Sequence, residues 1–324
     1  MSAGAKKALG DPLLKRFSLA GFEIQGGVKL PAEATLAYRI YGSGPKLAVC
    51  GTSYSATHLS LEYHFGTTID STAFTFVIFN MLGNGVSFAP SNSDNFPSEA
   101  ITVRDNVRAQ RAALDADPDV GGRSIDLAFG FSMGAMQALE WARFDDVKNT
   151  CALCGTSGAN GYNRAFLDAL ECTLSSTSTN QEEKLRNFGA IFAGWFVGPD
   201  FYRDEIWRSR GYESVEDFSK NFGHPSWDDG HPADLLAQLR TWHATDPFSA
   251  DELKAIKGRV LLLPCDNDTY FRVEDLEARE LKYLAHCTMN VIKSPWGHLA
   301  GHPQKLQQDH KFITDSLNAF LATA

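Results

Sequence analysis

The pentapeptide Gly130-Phe131-Ser132-Met133-Gly134 constrains this chain more than any other stretch. Before it, Ser124-Ile125-Asp126-Leu127-Ala128-Phe129 is short, mostly apolar and closed by glycine, as a buried parallel strand is. After it, residues 135–142 consist mostly of good helix formers. A serine held on a strained turn between strand and helix has its backbone where side chains would collide, so its neighbours must be nearly bare. In return its hydroxyl stands above the sheet, and the free N–H groups of the helix point at the same spot. Strand, G-x-S-x-G and helix in this order read as a nucleophile elbow.

The remaining composition bounds what such an elbow can serve. At 324 residues and 44% hydrophobic content the chain has the length and core of one large α/β domain carrying an insertion. No apolar run reaches the ~18 residues of a membrane span. The N-terminal stretch carries Lys6, Lys7, Asp11, Lys15 and Arg16 without an apolar segment, so no secretory signal is expected. A net charge of −9 with no basic block argues against a nucleic-acid partner. Cys151 and Cys154 have C-x-x-C spacing, but no second pair follows at metal-ligand spacing and no helix opens on them. Together with Cys50, Cys172, Cys265 and Cys287 they read as reduced thiols of a cytoplasmic protein. Gly83-Asn84-Gly85 lacks the third glycine and the following helix of a dinucleotide loop. Neither a cofactor nor a metal is expected.

In chain order, Phe17–Leu30 and Ala34–Tyr41 look like an antiparallel pair. Buried strands are expected at Lys46–Cys50, Phe74–Met81, the elbow strand and Thr150–Cys154, with a helix over Arg104–Ala116. From about Gly158 to Phe248 leucines, tryptophans and charges recur at helical spacing and β-branched runs disappear. That stretch reads as four or five short helices forming a lid. The sheet resumes with Arg259–Pro264, a helix near Val273–Leu284, a strand at Cys287–Ile292 and a last helix over about Gln304–Leu321. The expected class is α/β: a mostly parallel sheet with helices on both faces. The core would comprise residues 1–157 and 249–324, and the lid residues 158–248.

A serine hydroxyl needs a base to take its proton and a third group to hold that base. Asp266-Asn267-Asp268 directly follows one late strand, and Ser294-Pro295-Trp296-Gly297-His298 follows the last. His298, after a glycine and opening a new turn, is preferred to His302 beside Pro303. Asp266 and Asp268 both remain open as the acid, since a turn aspartate can bond its own backbone. The oxyanion donors are expected to be the Met133 N–H and one from Gly51–Ser55, with Ser53 or Tyr54 the natural choice. His224, Asp228, Asp229 and His231 read as a solvated loop rather than a metal site. The lid arginines Arg164, Arg186, Arg203, Arg208, Arg210 and Arg240 are candidates for clamping a substrate carboxylate. The order serine, aspartate, histidine is that of the α/β-hydrolases.

On these residues the chain resembles the homoserine O-acetyltransferase family of the α/β-hydrolase superfamily. The resemblance is carried by Asn80-Met81-Leu82-Gly83, by residues 102–110 (TVRDNVRAQ), by residues 132–142 (SMGAMQALEWA) and by Ser294–His298. The family's acid precedes a short segment ending in phenylalanine, which matches Asp268-Thr269-Tyr270-Phe271 and implies Asp268 rather than Asp266. The family's elbow usually reads Gly-Gly-Ser-Met-Gly-Gly, whereas this chain has Phe131 and Ala135. Its transferases place a carboxylate-binding arginine early in the lid. Residues 163–174 here have none after Arg164, and Asp168 and Glu171 are expected to repel a carboxylate there. Leu82–Gly85, Ala89–Asn92, Phe201-Tyr202-Arg203 and Trp296-Gly297-His298 are similar to a branch regarded as short-chain ester hydrolases. The resemblance implies an α/β-hydrolase fold with a helical lid inserted after the strand that follows the nucleophile helix, and a homodimer through lid helices. It implies a cytoplasmic serine esterase for small, foremost acetyl, esters, with Ser132, Asp268 and His298 as the triad. Tyr54, Phe131, Arg203 and Trp296 are the expected substrate-binding residues. The alternatives are an O-acetyltransferase using acetyl-CoA and an alcohol, and a non-catalytic ligand-binding member.

Overall fold

Both faces of the central strands are covered, and their sequences show it. The computed structural model describes residues 1–223, 227–304 and 306–323. Its sheet runs β1-β2-β4-β3-β5-β6-β7-β8. The strands are β1 (Lys15–Ser18), β2 (Thr35–Tyr41), β3 (Lys46–Gly51), β4 (Phe74–Phe79), β5 (Leu127–Phe131), β6 (Asn149–Leu153), β7 (Arg259–Leu263) and β8 (Cys287–Met289). The pairs β1/β2 and β2/β4 are antiparallel, and all the others are parallel. Every residue of β4, β5 and β6 is buried, which is why these strands are mostly apolar rather than alternating. Successive residues still face opposite sides. Leu47 and Val49 meet the helix Val103–Ala116 and the elbow helix Met133–Trp141 through Val107, Leu114 and Trp141. Ala48 and Cys50 face Ile313, Leu317 and Phe320 of the last helix, Gln307–Ala322.

Between β6 and β7 the chain leaves the sheet and forms a helical lid, with main helices at Gly161–Ser175, Gln181–Ala193 and Pro232–His243. Capping boxes start the first two, with Asn160 accepting from the Asn163 amide and Asn180 from the Glu183 amide. Among the described residues the apolar core of the lid is continuous with the sheet side. Phe188, Phe192, Phe201 and Trp242 form one apolar cluster with Tyr54, Met133, Met136 and Tyr270 of the sheet side. Burial of these rings therefore fixes the lid directly over the elbow. Where the chain enters and leaves the lid, the Ala159 amide donates to the Thr245 carbonyl at 2.8 Å, and the Phe248 amide to the Ser157 hydroxyl at 3.1 Å.

Several elements differ from the sequence expectation. Residues after β1 make only an isolated bridge, Glu23 to Lys29, so the first antiparallel partner is shorter than the alternation suggests. The helix near Val273–Leu284 breaks at Arg279, whose φ of −130° and ψ of −76° are not helical. The last strand stops at Met289, with Ile292 rejoining β7 only through a bridge to Cys265. A helix at Ala3–Leu9, capped by the Ser2 hydroxyl, was not foreseen; Ala5 and Ala8 bury it against Ala37 and Val86.

Candidate active site

The elbow glycines are required by contact. A Cβ on Gly130 would lie 1.9 Å from the Gly134 carbonyl oxygen, and one on Gly134 would lie 2.5 Å from that of Gly51. Gly155, after β6, is a third such position, because its Cβ would meet Ala135 Cβ at 2.5 Å and the Ser132 oxygen at 2.8 Å. Between them Ser132 adopts φ 58°, ψ −126°, a conformation that L residues seldom hold without enforcement by their surroundings. The Ser132 amide donates to the Leu153 carbonyl at 3.0 Å, so β6 helps to hold the turn.

Three side chains from three loops then meet. Ser132 Oγ lies 2.9 Å from His298 Nε2, and His298 Nδ1 lies 2.7 Å from Asp268 Oδ2. With the carboxylate as acceptor, Nδ1 carries the ring proton and Nε2 is left to accept from the serine hydroxyl. The other oxygen, Asp268 Oδ1, accepts from the Tyr270 and Phe271 amides at 2.8 and 3.2 Å, which fixes the carboxylate plane. Gly297, with φ 56°, turns the chain into His298; a Cβ there would meet the Gly198 nitrogen at 2.4 Å. Asp266 is turned elsewhere. Its Oδ1 accepts from the Ser294 amide at 3.2 Å and its Oδ2 lies 3.4 Å from Lys293 Nζ, so it ties the β7 loop to the β8 loop.

His302 is not joined to Ser132. Its Nδ1 lies 3.3 Å from the Tyr63 hydroxyl, and its ring stacks on Phe131, which in turn lies against His298. Burial, followed by the neighbouring His298, lowers the His302 pKa to about 4, which keeps this imidazole neutral at physiological pH. Among the described residues the Met133 and Ser53 amides have no protein acceptor; Met133 opens the elbow helix, and the Ser53 nitrogen lies 3.8 Å from where a Cβ on Gly134 would stand. The Tyr54 amide is equally free, but its hydroxyl is committed to the Leu235 carbonyl at 2.9 Å. Tyr54 contributes a ring, stacked on Phe192, to the cavity wall.

That cavity, of about 300 Å³, is lined by Ser132 and His298 together with Tyr54, Phe131, Phe192, Phe196, Trp227 and Tyr270. No Lys, Arg, Asp or Glu lines it among the described residues. A family model described as "Alpha/beta hydrolase family" matches residues 47–305 of the chain. The chain belongs to the alpha/beta hydrolase family. It is 28% identical over 296 residues to an ethyl acetate hydrolase of Pseudomonas veronii, covering 84% of this chain and 82% of that protein. It is 37% identical over 113 residues to a homoserine O-acetyltransferase of Zymomonas mobilis, covering 31% of this chain and 29% of that protein. An acetylester hydrolase from Corynebacterium glutamicum has a similar structure, with a TM-score of 0.86 at 23% identity over 98% of this chain and 99% of that one.

In this alpha/beta hydrolase two of the expected substrate-binding residues do not reach the cavity. Arg203 is exposed and pairs with Asp200 at 2.6 Å and Asp204 at 3.0 Å. Trp296 packs on Phe201 with Arg210 over its ring and is not among the residues that line the cavity. The other lid arginines are also engaged: Arg164 with Asp246, Arg186 with Glu182, Arg208 with Glu205 and Arg240 with Glu171. Asp168 pairs with His243 at 3.0 Å. Asp168 and Glu171 thus face lid partners rather than the cavity, and the expected repulsion of a substrate carboxylate does not arise from them. No group of three or more His, Cys, Asp or Glu among the described residues is arranged to hold a metal ion, and His224 of the acidic-histidine cluster lies outside those residues.

Of the cavity walls, sequence reasoning named Tyr54 and Phe131 and missed those that the lid supplies. Phe192, Phe196, Trp227 and Trp242 have the same helical spacing as core residues of any lid helix, and only the packing turns them toward Ser132. Phe131 carried a clue in its departure from glycine. A Cβ on Gly301 would lie 2.6 Å from the Phe131 ring, so this glycine is what makes room for it. Phe131→Ala is therefore expected to lengthen the cavity. Measured on p-nitrophenyl alkanoates and on alkyl acetates, kcat/KM in one of the two series should move by about tenfold toward longer chains. An unchanged chain-length profile in both would show that the ring does not bound the site.

Proposed function

We propose that the protein is a serine carboxylesterase that hydrolyses small, uncharged esters, foremost acetyl esters, through an acyl-enzyme on Ser132. The observation that carries this reading is the chain of hydrogen bonds Asp268–His298–Ser132 beside a cavity that no Lys, Arg, Asp or Glu lines among the described residues. Its volume is at the small end of ligand sites, which suits a short ester.

In the first half-reaction the Ser132 hydroxyl oxygen attacks the ester carbonyl carbon while its proton passes to His298 Nε2. The carbonyl oxygen takes up negative charge facing the Ser53 and Met133 amides. Asp268 holds the ring in the tautomer that can accept, and stabilises the imidazolium that forms. Collapse of the tetrahedral adduct breaks the bond to the alcohol oxygen, which leaves with the proton from His298. In the second half-reaction His298 takes a proton from water, the hydroxide oxygen bonds to the acyl carbon, and the acid departs as Ser132 recovers its proton.

Transfer to an alcohol instead of water requires fixed polar contacts that reward the right acceptor and leave buried groups unpaired with the wrong one. Among the described residues no Lys or Arg lines the cavity to pair with the carboxylate of an amino-acid acceptor, and Arg164 and Arg240 of the lid are engaged elsewhere. A labelled acetyl ester supplied with excess homoserine or a simple alcohol is expected to yield mainly acetate, and acetyl-CoA is expected to be a poor donor. Consumption of acetyl-CoA only in the presence of an acceptor would replace the esterase by a transferase. The division into a core of 1–157 and 249–324 with a lid of 158–248, the cytoplasmic location and a homodimer through the lid belong to the same reading. Six free thiols support the location.

A further inference from the structure

Gln137 lies inside the elbow helix and is fully buried, so its carboxamide must find all its partners within the protein. The direction of the network it joins is set from one end. Trp141 Nε1 can only donate, and it donates to Gln110 Oε1 at 2.9 Å. Gln110 Nε2 must then donate, and it reaches Gln137 Oε1 at 2.6 Å. That leaves Gln137 Nε2 to donate to the Thr52 carbonyl at 2.8 Å and the Met133 carbonyl at 3.2 Å. A flipped amide would set oxygen against two carbonyl oxygens.

The Thr52 carbonyl and the Ser53 N–H are opposite sides of one planar trans peptide. A hydrogen bond that fixes the oxygen also fixes where the N–H points. Two further bonds hold the neighbouring atoms, from the Thr52 amide to the Phe79 carbonyl at 3.0 Å and from the Met81 amide to Thr52 Oγ1 at 2.9 Å. Neither involves the carbonyl itself. The loop is shaped around the carboxamide: a Cβ on Gly51 would lie 2.1 Å from Gln137 Oε1. Gln137 thus bridges the loop that carries Ser53 to the helix turn that carries Met133.

We infer that Gln137 is a positioning residue for the oxyanion site, aiming the Ser53 amide at the reacting carbonyl by holding the other side of its peptide. The inference rests on the esterase reading above. Its effect belongs to the transition state, because the amides meet full negative charge only in the tetrahedral adduct.

The test uses Gln137→Met, which keeps the bulk and loses the donor, and Gln137→Glu, which keeps the shape. A fluorophosphonate that labels Ser132 counts the folded, competent sites in each preparation, and kcat is expressed per labelled site. Gln137→Met is expected to lower kcat by about 10–100-fold with KM within about twofold of the parent. Affinity for a trifluoromethyl ketone, which forms a tetrahedral adduct, should fall by the same factor as kcat/KM. In Gln137→Glu only the neutral carboxyl can donate to the Thr52 carbonyl, so the ratio of its kcat to that of the parent should fall as pH rises. The inference is overturned by a kcat per labelled site within twofold of the parent in Gln137→Met, by a loss confined to KM, or by a pH-independent ratio for Gln137→Glu. If the parent itself neither takes the label on Ser132 nor hydrolyses esters, the esterase reading fails and this inference goes with it.

Discussion

Ser132→Ala is expected to lower ester turnover by at least ~10³-fold while the protein stays folded. Only the hydroxyl is lost, and among the described residues its one hydrogen bond is to His298 in the cavity rather than to a structural neighbour. Alanine has the same Cβ as serine, so the strain at φ 58° is unchanged and the contacts that enforce it remain. What disappears is the covalent route. The amides of Ser53 and Met133 would still polarise a bound carbonyl, and this sets the residual rate. Turnover of p-nitrophenyl acetate and thermal unfolding, measured on the same preparation, check the two halves of the statement. A folded variant that retains turnover would remove Ser132 from the nucleophile's place and the acyl-enzyme with it.

The two neighbouring aspartates should separate almost as widely. Asp268→Asn presents an amide to His298 Nδ1, and the tautomer with Nε2 free to accept from Ser132 loses its anchor. A loss of about 10⁴-fold in kcat is the expected scale for that change. Asp268 also accepts from two amides at 2.8 and 3.2 Å, and an asparagine oxygen turned toward them would set its NH₂ at the imidazole. Asp266→Asn, by contrast, keeps an oxygen for the Ser294 amide and gives up an ion pair with a largely exposed Lys293, which is worth little in water. Its kcat should stay within about tenfold of the parent, leaving at least ~10² between the two variants. Greater damage from Asp266→Asn would mean that the bond from Asp268 to His298 is not the one that matters in turnover.

How much of this was legible before any fold was known differs from element to element. The elbow could be read because its demands are local: the clash of a Gly130 Cβ with the Gly134 carbonyl involves residues four apart. The buried strands could be read because covering both faces leaves near-continuous apolar runs, as in Phe74–Phe79, where the one polar residue, Thr75, donates its hydroxyl to the Gly44 carbonyl. The histidine and its acid could be placed on loops because the chain order leaves few late-strand loops to choose from. Between Asp266 and Asp268, however, residue chemistry alone was undecided, and it was the likeness to a known family that favoured Asp268. Their spatial fates diverge through backbone hydrogen bonds of the loop, which no composition encodes.

Other features depend on which surfaces meet. Arg203 and Trp296 stand close in sequence to lid and triad residues, yet ion pairs with Asp200 and Asp204 hold the first in solvent, and the second packs on Phe201 outside the cavity lining. Asp168 and Glu171 look like a repulsive pair until the helix Pro232–His243 supplies His243 and Arg240 against them. The cavity walls, the role of Gly301 beneath Phe131 and the network through Gln137 are products of contacts between segments distant in the chain. Local sterics and burial wrote the strand–elbow–helix unit and the parallel core into the amino-acid order. The size and neutrality of the site, and the aim of its amides, come from packing the lid and the β3 loop against that unit, where long-range contacts decide which side of each residue faces the ester.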